Sequence, residues 1–357
     1  MDHRFGATAP LSLGVEEELL LVDDELQLDP AAEQVLAELD DERVSTEIFA
    51  GQIEIKTGVC AGPDEALREL AELRRAVAAT GAGLLAAGVH PADATGRAQL
   101  VSKPRYAPVA KDFGSLLRTP PCGLHVHVGM PDPETAIRVA NALRRHLPLL
   151  QALTANSPFM EGADSGHASA RTAAVVSSYP RFEMPREFRD FEEFREVADQ
   201  LIAAAGVDDY TYIWWDVRPH PNLGTVEVRA VDVQTDVAAS VAVAALIQAI
   251  AAKEIDRPNG SGPVREALEE SYFQAARYGL EAELLADGGT ALPARELARA
   301  TLDEVRPYAA ELGTVDAIGE VERVLREGNG ADEQHRVHEA AGMDGLLAYL
   351  AATTLPA

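Results

Sequence analysis

The chain has 357 residues, 47% of them hydrophobic, with 58 Asp plus Glu against 31 Lys plus Arg and a formal net charge of -27. That negative excess argues against nucleic acid or an anionic membrane as a partner, and any anionic ligand must meet a locally positive site. Nowhere do 18 consecutive apolar residues suggest a membrane span, the start Met1-Asp2-His3-Arg4-Phe5 does not read as a signal peptide, and Cys60 and Cys122 can build neither a disulfide framework nor a CxxC metal site, so a soluble, cytoplasmic chain is expected.

Residues 11–22 read as a first strand, in which Gly14-Val15-Glu16-Glu17-Glu18-Leu19 sets Glu16 and Glu18 on one face. A short helix near Ala31–Leu39 and a strand pair up to Thr57 follow, the latter carrying Gln52-Ile53-Glu54-Ile55. Pro63-Asp64-Glu65 opens a long amphipathic helix (Leu67, Leu70, Leu73, Val77), proline and acids being favoured in a first turn, and the helix is expected to end before Gly88. A Pro-rich connection (Pro104, Pro108, Pro120, Pro121) leads to the strand Leu124-His125-Val126-His127-Val128, and Asp132-Pro133-Glu134 opens a helix through about Leu153.

From Thr154 to Asp190 the periodicity fails, which inside a compact fold marks a functional or disordered segment. Phe159, Met160, Phe182 and Phe188 argue against disorder, so residues 154–190 are expected to be an active-site loop or lid with Arg171 as its most useful cation. After a helix near Phe191–Ala205 come two strands, Ile213–Arg218 and Thr225–Val231, joined by a hairpin turn through Pro219, Pro221, Asn222 and Gly224. Trp214, Asp216 and Arg218 share a face of the first, Glu227 and Arg229 a face of the second. Beyond Val237 the pattern is helical (Val237–Lys253, Val264–Tyr278, Pro293–Leu312, Thr314–Arg326, about Ala331–Leu350), broken by the loop Pro258–Pro263. The expected architecture is a single α+β domain over 1–357: an antiparallel sheet with one polar face and helices on the other, and a helical C-terminal portion over 237–357.

Residues i and i+2 of a strand lie roughly 6.6 Å apart on one face, so these stretches build a floor of carboxylates, imidazoles and guanidinium. A solvated face of an antiparallel strand is the competing reading for any one of them. Solvated faces, however, favour Thr, Lys, Ser and Arg, and here a single lysine, Lys56, accompanies the acids. Unneutralised carboxylates on neighbouring strands repel one another, so their clustering asks for a cation. Glu16, Glu18, Glu54, His125 and Glu227 are mostly hard oxygen donors, better suited to Mg2+ or Mn2+ than to Zn2+. Arg171, Arg218 and Arg229 are the available anion binders, a guanidinium matching phosphate or carboxylate in a fixed fork; an ion pair with a surface acid is the alternative for each. His-x-His also occurs in zinc hydrolases that activate a bound water, and a non-catalytic, metal-stabilised binding protein would need no turnover at all. Gly81-Ala82-Gly83-Leu84-Leu85-Ala86 fits a dinucleotide-binding pattern but follows a helix instead of a strand, so its context fails. No GxxxxGK[ST] loop exists, which leaves metals and arginines to hold any nucleotide. Cys122 reads as a small buried hydrophobe before it reads as a nucleophile.

Taken together and in this order, the segments resemble the glutamate-cysteine ligase type 2 family of carboxylate-amine ligases, within the glutamine synthetase-like superfamily. Leu13-Gly14-Val15-Glu16-Glu17-Glu18, Gly51-Gln52-Ile53-Glu54 and Gly123-Leu124-His125-Val126-His127-Val128-Gly129 are similar to that family's acidic and histidine strands. Ala155-Asn156-Ser157-Pro158-Phe159 with Ser169-Ala170-Arg171 resembles its loop, and Trp215-Asp216-Val217-Arg218-Pro219 with Thr225-Val226-Glu227-Val228-Arg229 closes the set. Weaker likeness continues through Arg277-Tyr278-Gly279-Leu280 and Gly328-Asn329-Gly330-Ala331, covering nearly the whole chain. The resemblance implies a sheet like that of the glutamine synthetase catalytic domain and an ATP-dependent ligase that phosphorylates the γ-carboxylate of glutamate. An amine, typically that of cysteine, then attacks the acyl phosphate. It further implies Glu16, Glu18, Glu54, His125 and Glu227 as ligands of Mg2+ or Mn2+, His127 near the ATP phosphates, and Arg171, Arg218 and Arg229 on phosphate or substrate carboxylate, with Arg229, Arg171 and Glu54 as the catalytic candidates. Glutamate and an amine are thus the expected partners, nucleic acid and membrane are not, and the oligomeric state is left open. The stretches Phe159-Met160-Glu161-Gly162 and Gly166-His167-Ala168-Ser169 carry fewer aromatic residues than the family pattern, which leaves the amine open too.

Overall fold

In the computed structural model residues 1–92, 98–103, 106, 111, 117–176, 179–257 and 262–356 are described; Pro104, Pro108 and residues 258–261 of the expected loop lie outside them. Seven strands form one antiparallel sheet: β1 Leu13–Val22, β2 Val44–Thr46, β3 Gln52–Lys56, β4 Gly83–Leu85, β5 Gly123–Gly129, β8 Val217–His220 and β9 Thr225–Asp232. Their order is β2-β3-β1-β5-β9-β8, with β4 pairing the far end of β1. The register follows from the alternation, because a slip of one residue would turn every aliphatic side chain to the wrong face. Val15, Ile53, Ile55, Val126 and Val228 are all wholly buried, whereas Glu16 stands opposite both Lys56 and His125, Glu18 opposite Glu54, and His127 opposite Glu227.

The aliphatic face is covered by helices, among them α2 Pro63–Ala79, α3 Pro133–Thr154 and α6 Val237–Asp256. Helix α3 starts where Asp132 accepts from the Thr135 amide at 2.8 Å, an N-cap with Pro at the first turn. Helix α6 is long and apolar enough to cross a membrane by length and composition, but 89% of that stretch is buried against the sheet and its neighbours, as befits a core helix that is hydrophobic all round. Also on this face, Glu17 and Arg74 form a bidentate pair, both contacts 2.8 Å and both side chains fully buried. Arg74 spends its remaining donors on the carbonyls of Thr235, Gln234 and Thr354.

Several elements differ from the sequence expectation. Helix α2 stops at Ala79 because Gly81 takes φ +89, a left-handed turn that glycine adopts freely, and Gly83–Leu85 then adds a short strand. The hairpin strand begins at Val217, not Ile213: Tyr210–Tyr212 form a 3-10 turn capped by Asp209, and the Tyr210, Thr211 and Ile213 carbonyls turn to Arg218 Nη1 instead of to a strand partner. Within 154–190 lie a small hairpin, β6 Phe159–Met160 and β7 Ala163–Asp164, and a short helix, α4 Ala170–Val176. The C-terminal portion is not wholly helical: β10 Glu283–Leu285 pairs with β11 Ala291–Pro293 across Gly288-Gly289. Otherwise α5 Phe191–Ala205, α7 Arg265–Tyr278, α8 Ala294–Leu312, α9 Val315–Glu327 and α10 Gly330–Thr354 lie close to the expected spans, α10 being kinked at Gly342.

Candidate active site

The polar face of the sheet is the floor of a cavity of about 450 Å³. β1 supplies Glu16 and Glu18, β3 Glu54 and Lys56, β5 His125 and His127, β8 Arg218 and His220, and β9 Glu227 and Arg229. Residues outside the strands complete the wall: Glu47 from the turn after β2, and Tyr212 and Trp214 from the segment before β8. Sequence reasoning passed over Glu47; it sits in a Thr46-Glu47-Ile48 stretch between two short strands, with no period to mark it.

The floor has two electrostatic halves. In one, Glu227 is 1% exposed and gripped from both sides, its Oε2 2.7 Å from Arg218 Nε and its Oε1 2.7 Å from Arg229 Nη1. Burial alone would push its carboxyl up, but Arg218, Arg229 and His127 outweigh it and hold Glu227 well below the ordinary carboxylate range. In the other half, Glu54 faces Glu16, Glu18 and Glu47. Burial first, and then these three acids, push its carboxyl well above the usual value, and Lys56 at 3.9 Å offsets only part of that. Between the halves stand the imidazoles. His125 Nδ1 is 3.1 Å from Glu16 Oε2, and His127 Nε2 is 3.5 Å from Glu16 Oε1 and 4.0 Å from Glu227 Oε1. Burial opposes charge on His127, yet Glu16 and Glu227 raise its pKa above the histidine norm; His127 and His125 in turn overcome burial to keep Glu16 low.

This donor set fits a hard divalent cation. Three overlapping groups each bring their donor atoms within 4.8 Å of one another: Glu16, Glu54 and His125; Glu16, His127 and Glu227; and Glu18, Glu47 and Glu54. Among the described residues the buried Nε2 of His127 has no hydrogen-bond partner, and its other nitrogen is fixed at 3.0 Å from Thr225 Oγ1, the arrangement that orients a ligating imidazole. Carboxylates with imidazole suit Mg2+ or Mn2+.

Eight of the nine residues singled out from sequence therefore line one cavity. The ninth, Arg171, lies just beyond it in a small chamber of about 80 Å³ that also touches Glu18, His125 and Arg229. Its guanidinium is 3% exposed, donates to the Ala230 carbonyl at 3.3 Å and the Arg229 carbonyl at 3.4 Å, and stands 3.9 Å from Asp232. Asp232 is itself tied down by the Asn156 amide and the Ser157 and Ser169 hydroxyls at 2.7–2.9 Å, so the loop that carries Arg171 is bonded to β9. Gly123 makes room for this: a Cβ there would collide with Arg171 Nη2.

Residues 12–348 match the family model described as glutamate-cysteine ligase family 2. A protein of Rubrobacter xylanophilus, provisionally named glutamate–cysteine ligase 2-3, is 40% identical, covering 99% of this chain and 100% of its own length. The glutamate–cysteine ligase of Haloferax volcanii is 36% identical over 95% of this chain and 96% of its own. A crystal structure of a glutamate–cysteine ligase from Francisella tularensis in complex with AMP superimposes with a TM-score of 0.74, covering 98% of this chain and 91% of that one at 13% identity, a likeness of fold.

Proposed function

Since the chain belongs to glutamate-cysteine ligase family 2 and is thereby an ATP-dependent carboxylate-amine ligase, we propose that it joins the γ-carboxylate of glutamate to an amine, that of cysteine or a related compound. In the first step a γ-carboxylate oxygen bonds to the terminal phosphorus of ATP as the bond to ADP breaks, and ADP leaves with the electron pair. In the second the amine nitrogen bonds to the acyl carbon, phosphate departs, and the nitrogen gives up its surplus proton. The observation that carries this reading is the pairing of Glu227 with two guanidiniums beside a crowd of carboxylates: phosphoryl transfer needs fixed positive charge next to acids that gather cations, and a hydrolase using His-x-His alone needs neither.

Arg229 is the principal catalytic candidate. One arm is fixed by Glu227, while among the described residues its buried Nε has no hydrogen-bond partner and can donate to an oxygen that gains charge. Arg218 is held by Glu227 and three carbonyls and keeps the positive end of the floor rigid. His127 lies on the side of the ATP phosphates, and Arg171, its own Nε unpartnered among the described residues, holds a phosphate or carboxylate oxygen in the adjoining chamber. Glu16, Glu18, Glu54, His125 and Glu227 would hold Mg2+ or Mn2+, which supplies neutralising charge to phosphate oxygens when bound.

Residues 154–190 act in this reading as a lid that keeps water from the acyl phosphate. The exposed tip of the β6–β7 hairpin, with Glu161 and Gly162 both at positive φ, is where a protease should cut first, and ATP, metal and glutamate together should suppress cleavage near Glu161–Arg171. Equal cleavage with and without ligands would remove the lid. The function itself is tested by incubating the protein with ATP, Mg2+ and glutamate and measuring ADP across a panel of amines. Glutamate-dependent ADP formation is expected; hydrolysis of a substrate without ATP would overturn the reading.

A further inference from the structure

The second chemical step begins with an amine, and in neutral solution an alkyl amine carries a proton that blocks its lone pair. Asp216 is placed to take that proton. It stands opposite Arg229 across the β8–β9 ladder, its carbonyl accepting from the Arg229 amide at 2.9 Å while its own amide donates to the Glu183 carbonyl at 3.1 Å. Its side chain lines a cavity of about 590 Å³ whose wall includes Tyr179 and Phe182. The Arg171 chamber shares those two residues with this cavity, and shares Glu18, His125, Trp214 and Arg229 with the catalytic cavity. A molecule held beside Asp216 is thus next to the floor where the acyl phosphate forms.

Other buried carboxylates are matched by their own chain: Glu17 by Arg74, Glu227 by Arg218 and Arg229, Asp232 by three donors of the loop. Asp216 is different. It is 1% exposed, and among the described residues its buried Oδ1 has no hydrogen-bond partner. Such an oxygen is costly to bury unless a donor arrives to meet it, and an ammonium is such a donor. Around Asp216 stand Arg171 on α4, Arg229 on β9, Arg181 and Glu183 in the segment before α5, and Glu269 and Tyr272 on α7, with His167 and Tyr179 also lining the cavity. Glu183 and Glu269 lie 4.0 and 3.3 Å from Arg265, which mutes their charge. Burial pushes the Asp216 carboxyl up to about 7, with Arg171 and Arg229 pulling it back down, so near neutral pH it can both take and release a proton, as a general base must.

Resting on the ligase reading above, we propose that Asp216 is the general base of the second step. Its Oδ1 takes one proton from the ammonium of the acceptor, whose body occupies this cavity. The freed lone pair then bonds to the acyl carbon as the bond to phosphate breaks, the departing phosphate takes a further proton from that nitrogen, and Asp216 returns its own proton to solvent. The role leaves room for an amino acid as the acceptor, because Arg171, close enough to act on Asp216 and with its Nε unpartnered among the described residues, can meet a carboxylate there.

Hydroxylamine supplies the comparison, because in neutral solution it is already unprotonated and needs no base before it attacks. With the full-length protein, ATP, Mg2+ or Mn2+ and glutamate, glutamyl hydroxamate should form; none with either metal would overturn the ligase reading and the role of Asp216 together. Cysteine and the other amines of the panel are then compared in Asp216→Asn, a near-isosteric change. Near pH 7 and with saturating acceptor, kcat with the best of these amines should fall about 10²-fold or more, the scale of general-base catalysis, and hydroxamate formation should fall by a factor about ten times smaller. The wild type should lose kcat as pH drops through about 7 and level off above it. The Asn variant should instead climb about tenfold per pH unit into the alkaline range, following the ionisation of the amine itself, and Asp216→Glu should regain part of the rate. Equal losses with hydroxylamine and the amine would make Asp216 structural and overturn the proposal, as would a loss that alkaline pH does not relieve, or a wild type that uses hydroxylamine and no ammonium-bearing amine of the panel.

Discussion

Glu16, Glu17 and Glu18 are consecutive residues of one strand, yet they belong to two different kinds of structure. Glu17 points into the helical layer, where Arg74 meets both of its oxygens and no solvent reaches either partner. Glu16 and Glu18 point to the other face, where the chain supplies more acids than bases. The contrast teaches how to tell a structural carboxylate from a functional one: a buried charge that its own chain satisfies holds the fold, and one that its chain leaves crowded waits for a ligand. Sequence position and residue type do not separate them; the direction of the pleat does.

The comparison can be broken most severely at Arg74. Arg74→Ala leaves Glu17 charged and alone in the core, and should cost about 3–5 kcal/mol, a large share of the roughly 5–15 kcal/mol that a domain has. Denaturant unfolding measures it, and a loss below about 1 kcal/mol would mean that water or repacking rescues Glu17. On the other face the loss should be of activity. Arg229→Ala should lower glutamate-dependent ADP formation by about 10²-fold or more, with Arg229→Lys restoring only part because the planar fork is gone; near-normal turnover in the Ala variant would reduce Arg229 to an ion-pair partner of Glu227.

The next effect is thermodynamic. Mg2+ or Mn2+ should stabilise the protein by mass action, by about 2.7 kcal/mol when the ion stands at roughly 100 times its dissociation constant. Glu54→Gln and Glu16→Gln should shrink the thermal shift while Glu17 variants keep it. An undiminished shift in the two site variants would move the ion elsewhere. The smallest effect is a pH slope. The folded-state pKa of Glu54 lies above its unfolded value, so its contribution to stability is full below the ordinary glutamate pKa and is lost as pH rises through the raised one. Glu16 and Glu227 are shifted the other way, so theirs is present above the ordinary value and lost in more acidic solution. In metal-free buffer the melting temperature should therefore fall on the alkaline side of the usual carboxylate range, and Glu54→Gln should flatten that fall.

The floor was legible in the sequence because period-2 alternation encodes both which side chains share a face and, through the aliphatic partners, which register keeps them there. Which residues stand opposite one another was not legible in that alternation: that Glu16 faces His125 and His127 faces Glu227 comes from the structure. The alternation also failed where side-chain demands override the period. The carbonyls before Arg218 serve its guanidinium, so the strand there is four residues shorter at its start than Trp214, Asp216 and Arg218 suggested. Short elements also escaped: Gly83–Leu85, after the helix, is too short to show a period and was given no strand, and the β10–β11 pair falls mostly between the two expected helices Val264–Tyr278 and Pro293–Leu312, where Asp287-Gly288-Gly289 is a turn signal. Arg171 was picked out by type, but its attachment to Asp232 through Ser157 and Ser169 brings together residues far apart in sequence and leaves no local trace.

Arg74 also sets a condition on how the protein is made. One of its donors reaches the Thr354 carbonyl, 280 residues away, and Thr354 Oγ1 accepts from the Ala86 amide behind the sheet. A nascent chain that has already made β1 and α2 thus holds a guanidinium whose full set of acceptors does not exist until α10 has left the ribosome. Contacts of such separation close late, and an unfinished chain with an incompletely matched core charge is a natural client for chaperones. Truncating α10 before Thr354 would therefore slow maturation and raise aggregation during synthesis without touching a single residue of the catalytic floor.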